Sequence, residues 1–127
     1  MSKLIGFLLL VVGIIHLLPL AGVLGGERLN ALYGLNFDEA NLHILMRHRA
    51  VLFGLLGALL VAAALLPALR SIALIGGLVS VLSFLLLAWS EPAYNEALRR
   101  VVIADWIALA CLLVALILHL RISTVTS

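Results

Sequence analysis

Four long apolar runs divide this chain: Leu4 to Leu24, Ile44 to Leu66, Ile72 to Trp89 and Val101 to Leu120. Each is close to the ~20 residues a helix needs to cross the hydrocarbon of a bilayer. Helices that are apolar on every side need lipid around them, or a core far larger than 127 residues can build. Short polar stretches join the runs, so successive helices should lie antiparallel. The expected fold is all-α, a four-helix transmembrane bundle with up-down connectivity. A single integral membrane domain should cover 1–127, with spans at about 3–24, 44–66, 71–90 and 100–121. With 65% apolar and 11% charged residues, the chain lies far from the soluble average.

Several function classes drop out at this stage. The longest polar stretch, Gly25 to His43, has 19 residues and leaves no room for a soluble catalytic module. The net charge of +2 is scattered and forms no basic stripe, which argues against nucleic acid as a partner. Cys111 is the single cysteine and lies within the fourth run, so neither an internal disulfide nor CxxC chemistry is open to the chain. It reads as a small packing residue. The start at Met1-Ser2-Lys3 resembles a signal peptide, but the apolar stretch is long for one and reads as an uncleaved first helix.

Local signals set the expected helix ends. Pro19 should bend the first helix and Gly25-Gly26 should end it. Asp38 is a good N-cap for the second, and Phe37 with Leu42 has hydrophobic-staple spacing. A helix from Glu39 to Leu66 would be roughly 42 Å long. That exceeds the ~30 Å hydrocarbon core, so Asn41 and His43 should project from it. Pro67 should end this helix, Glu91-Pro92 the third, and the fourth should run from near Ala97 to near Ile122. Small residues recur every four positions at Ala50, Gly54, Ala58 and Ala62, at Gly76 and Ser80, and at Ala104 and Ala108. Such stripes let backbones approach closely in lipid.

Lys3, Arg70 and Arg121 share the side of the termini with no acids, while five arginines and five acids lie toward the other side. A raw count would put that second side in the cytoplasm. Removing Arg47, Arg49 and Arg100, which sit at the bundle, cancels the bias. Lys3 ahead of the first helix then favours cytoplasmic termini.

Ionisable groups within a membrane are costly, and each is a functional candidate by default. His16 lies in the first run, Arg47, His48 and Arg49 where the second enters the membrane, and Asp105 two turns into the fourth, below Arg99 and Arg100. All approach one leaflet. An unpaired carboxylate at Asp105 would be expensive. Arg49 reaches deepest of the basic trio, so an Asp105–Arg49 ion pair is expected, with His16 or His48 nearby. The pair either fixes helix register or forms part of a ligand or proton-handling site; the remaining alternative is an Asp105 that simply faces Arg100 or the interface. Trp106, with Trp89, either lines a polar pocket there or belongs to the interfacial aromatic belt. His16 and His48 differ in depth by several residues, which argues against haem. Zinc needs three or four convergent ligands, more than the histidines offer. Ser80, Ser83 and Ser90 read as packing or local hydrogen-bonding residues, His43 as solvated, and Arg70, His119 and Arg121 as ordinary interfacial residues.

Gly13-x-x-His16 in the first helix, Glu27-Arg28-Leu29 with Leu32-Tyr33-Gly34, and Arg47-His48-Arg49 leading into Leu52-Phe53-Gly54 together carry a resemblance. The chain resembles the small bacterial four-helix membrane proteins of the DoxX-like and related uncharacterised families. The resemblance implies a four-helix bundle of the bacterial inner membrane. Some DoxX relatives are linked to quinone-dependent sulfur oxidation, or are small subunits of redox assemblies. No catalytic residue carries over. Chains of this kind are also sometimes labelled phosphopantetheine adenylyltransferase. The residues oppose that label, because the enzyme is a soluble α/β protein with glycine directly before histidine in its phosphate motif.

Three functional readings follow. The first is a membrane bundle acting by association, as an accessory subunit of a larger membrane complex or as a homo-oligomer. The second is a binding protein for a quinone or lipid at His16, Arg47, His48, Arg49, Arg100, Asp105 and Trp106. The third is a membrane enzyme or proton-coupled carrier, although no complete catalytic set is visible. No cofactor is expected: there is no metal set, haem is disfavoured, and a quinone enters only as one ligand of the second reading.

Overall fold

The computed structural model describes residues 2–18, 40–91 and 93–126, with side chains to 122. Four helices make up this part: α1 (Ser2–Leu17), α2 (Ala40–Leu65), α3 (Arg70–Ser90) and α4 (Glu96–Thr126). A 3-10 turn, Pro67–Leu69, joins α2 to α3. The expected bend at Pro19, the Gly25-Gly26 stop and the Asp38 cap with Phe37 lie outside the described residues.

Proline chemistry ends α2. A residue before proline is pushed out of the helical region, and Leu66 sits at φ −118°, ψ 97°. The chain then turns tightly, with Leu69 N–H donating to Leu66 O at 3.0 Å. At the start of α4 the Asn95 side chain accepts from Leu98 N–H at 2.8 Å, the reach of an N-cap to the third helical residue. Glu96 adds negative charge to the first turn, where the helix dipole favours it. This cap starts α4 at Glu96, slightly ahead of the expected Ala97. The helix also runs past Ile122 to Thr126, because no glycine or proline interrupts it.

The helices pack as a ring. α1 lies against α2 and α4, and α3 lies against α2 and α4. Elements adjacent in sequence are adjacent in space, and α4 closes back onto α1. Ile5, Leu9 and Val12 of α1 meet Leu60 and Ala63 of α2, Leu74 and Val81 of α3, and Leu112 and Ala115 of α4 in one core. Outside it, Phe7, Ile14, Leu55, Ile75, Leu86 and Ile117 are half or more exposed. Ala40–Leu65, Pro67–Ser90 and Glu96–Ile122 are each long and apolar enough to cross a membrane. α1 is equally apolar but shorter over its described residues. An apolar core inside an apolar exterior is the arrangement lipid requires, and the protein is a multi-pass integral membrane protein.

The closest approach is between α1 and α2. A Cβ added at Gly13 would lie 3.1 Å from Gly57 O, and one added at Gly57 would lie 3.0 Å from Gly13 O. The expected four-residue stripe on α2 serves differently. Ala50 is buried but Ala58 is exposed. A step of four residues overshoots a helical turn by about 40°, so the stripe winds off the packed face and Gly57 takes the contact. On α3 the buried glycine is Gly77, where an added Cβ would lie 3.1 Å from Leu112, while Gly76 is half-buried.

Arg70 departs from the expectation of an ordinary interfacial residue. It is 5% exposed. Nε donates to Ala63 O at 3.1 Å, Nη2 to Ala64 O at 3.2 Å and Nη1 to the Ser2 hydroxyl at 2.9 Å. The final carbonyls of α2 have no further turn to bond them, because Pro67 stops the helix. A cation at this helix end satisfies them and meets the negative end of the dipole. One side chain therefore ties α1, α2 and α3 together. Nearby, Ser71 Oγ and His119 Nε2 are hydrogen-bonded at 3.0 Å, linking α3 to α4.

Candidate functional site

The interior of the bundle toward the other end holds polar groups from every helix. His16 near the end of α1 is 2% exposed. Its Nδ1 lies 3.0 Å from Val12 O. A carbonyl only accepts, so Nδ1 carries the proton and donates. In the neutral ring Nε2 is then an acceptor, and the Ser80 hydroxyl of α3 faces it at 3.5 Å. That distance is at the long limit of a hydrogen bond.

The imidazole also meets Phe53 of α2, with ring centroids 5.7 Å apart and planes tilted by 40°. The Arg49 guanidinium sits over the same phenyl ring, 4.4 Å from its centroid. Arg49 and Phe53 are one helical turn apart, the spacing that stacks side chains on one face. The negative face of the ring holds the cation in place. Arg49 acts on Asp105 of α4, which is 8% exposed, at electrostatic range, and the expected direct ion pair between them is not among the contacts of the described residues.

Two of these links run across the ring rather than around it. His16 to Ser80 joins α1 to α3, and Arg49 to Asp105 couples α2 with α4. The cluster therefore lies near the bundle axis. Charged groups at such a position are shielded from lipid and electrostatically strong.

The other residues expected at the site lie elsewhere. Arg47, His48 and Arg100 are exposed, and Trp106 is 57% exposed on the outside of α4. Trp89 is likewise on the outside. His16 and His48 do not face one another, since one is buried and the other exposed. Among the described residues no three His, Cys, Asp or Glu side chains gather as a metal would require. His43, expected to be solvated, is half-buried, and its Nε2 has no hydrogen-bond partner among the described residues. Ser83 and Ser90 donate to the carbonyls of Ser80 and Leu87, three residues back, as local bonds along α3.

Phe53 and Ser80 belong to the cluster although neither is ionisable. The i,i+4 relation to Arg49 is the sequence signal for Phe53. Ser80 has no such signal, since its partner is 64 residues away.

No family model, curated protein or solved structure matches this chain. The chemistry of the cluster is therefore the ground for a functional reading. It offers guanidinium donors, an imidazole acceptor and a carboxylate beside an aromatic face. Such a set can hold a carbonyl or hydroxyl carried into the membrane by an apolar molecule.

Proposed function

We propose that this protein is a small bacterial inner-membrane bundle that binds a lipophilic ligand with an oxygen-bearing head, of which a quinone is the best chemical match. The observation that supports this reading is the cluster itself: His16, Arg49 with Phe53, Ser80 and Asp105 bring one polar or aromatic group from each helix to the bundle axis. A fold built only for packing has no need of an acid, a base and an imidazole there, and each is costly in lipid. Arg49 would donate to a quinone carbonyl, and His16 Nε2 would accept from the hydroxyl of the reduced form. The resemblance of Gly13-x-x-His16 and Arg47-His48-Arg49 to the DoxX-like proteins is in keeping with a quinone. The test is titration of a short-chain quinone into the reconstituted protein, read by quenching of Trp106 and Trp89 fluorescence. Saturable binding at one per chain is expected, weakened at least about tenfold by His16→Ala or Asp105→Asn, the loss of roughly one charge-assisted hydrogen bond. Arg100→Gln, on the exposed side, should bind normally. Non-saturable partitioning, equal in all variants, would leave the cluster as a register-fixing device.

Association is the second reading, and Ala58 supports it. This small residue is exposed on α2 between half-buried Gly54 and Ala62, leaving a shallow face for another helix. Purification in mild detergent tests it: a stoichiometric membrane partner, or a defined homo-oligomer, is the expected outcome. A monomer that binds quinone would set it aside.

A further inference from the structure

At the end of the bundle remote from His16, a groove of about 510 Å³ opens between α1 and the junction of α2 with α3. Ser2, Lys3 and Arg70 line one part of it, and Phe7, Leu10 and Leu65 line another. No acidic side chain is among the lining residues. We propose that this groove is a binding site for one anionic phospholipid, with its phosphate at Lys3 and Arg70 and the upper part of an acyl chain along Phe7, Leu10 and Leu65.

Three observations converge on this occupant. The first is charge. Lys3 is exposed and lines the groove. Arg70 has five N–H donors, of which Ala63 O, Ala64 O and Ser2 Oγ take three. Among the described residues, one hydrogen on each terminal nitrogen is left for an incoming oxygen. The second is shape. Gly6 forms the floor, and a Cβ there would lie 2.9 Å from Ala64 O and 3.3 Å from Arg70 Nη2. The missing side chain lets α1 close on the end of α2, so the floor of the groove there is backbone and guanidinium. The third is polarity along the helix. From Lys3 to Leu10 the lining passes from cation to hydrocarbon over roughly 10 Å of α1. A free phosphate would use only the first part. Phe7 and Leu65 are 61% and 78% exposed, so the apolar part faces the lipid from which the occupant would come. The proposal is independent of the quinone reading, since His16 lies about 20 Å further along α1.

The full chain, purified and stripped of lipid, is offered equal amounts of dioleoyl phosphatidylglycerol and dioleoyl phosphatidylcholine, and retained lipid is counted by native mass spectrometry. One phosphatidylglycerol per chain should be retained, with a clear preference over phosphatidylcholine. Lys3→Gln should cut that preference about fivefold, the usual effect of one cation near a lipid headgroup. Lys3 is exposed, so this variant leaves the fold intact. Leu10→Trp, which fills the apolar wall, should reduce retention of both lipids, while Arg121→Gln on the same membrane side should change nothing. Equal retention of the two lipids by the unmodified chain would overturn the proposal. So would a preference lost equally in Lys3→Gln and Arg121→Gln, which would mark general surface attraction, or displacement by millimolar inorganic phosphate, which would mark a simple anion site.

Discussion

Arg70 shows what a buried guanidinium requires inside a membrane protein. Each of its three bonded nitrogens meets an oxygen supplied by a helix end or a serine, so the cation replaces hydration with protein. Arg70→Ala should destabilise the bundle by about 3 kcal/mol, because the α2 carbonyls then lose charge-assisted bonds. Arg70→Lys should recover only part, since an ammonium cannot reproduce the planar fork. Thermal unfolding in detergent would measure both. At the cluster, Arg49→Gln and Asp105→Asn should each destabilise, yet the double variant should cost less than their sum by about 1 kcal/mol or more. A double-mutant cycle that adds within error would show that the two charges act independently. His16, Arg49 and Asp105 were legible in the sequence because ionisable groups stand out in apolar runs. Phe53 and Ser80 were not, because phenylalanine and serine are ordinary residues in a membrane helix. Arg70 reads as interfacial because it stands beside a loop in sequence, whereas in space it bonds the end of α2 and Ser2 of α1.

The helices themselves follow from strong local signals. Pro67 and Asn95 decide where α2 stops and α4 begins. Helix length and apolarity were therefore readable without coordinates. The face each helix buries was harder, since helices that are apolar on all sides carry no amphipathic pattern. The glycine crossing shows the consequence. Gly57→Ala would press a methyl against Leu17 Cγ at 2.8 Å and Gly13 O at 3.0 Å. It should destabilise by about 1–3 kcal/mol, as overpacking does in a closed core. Ala58→Leu, one residue along but exposed, should change stability by less than about 0.5 kcal/mol. Equal effects from the two variants would show that α1 and α2 do not cross at Gly57.

At the scale of the molecule, the lone cysteine reports on the membrane reading. Cys111 is half-buried and packs against the core within α4. In sealed vesicles it should resist a membrane-impermeant maleimide from either side, and react after dissolution in SDS. Rapid labelling in intact vesicles would place α4 outside the hydrocarbon. The ring of helices also bears on how the chain is assembled. Arg49 enters the bilayer with α2, whereas the Asp105 carboxylate that it acts on across the bundle arrives with α4. During synthesis the carboxylate that faces Arg49 across the bundle emerges from the ribosome two segments later. A product truncated after Ser90 should then be unstable in the cell and cleared by membrane proteases, even though the remaining segments are greasy enough to insert.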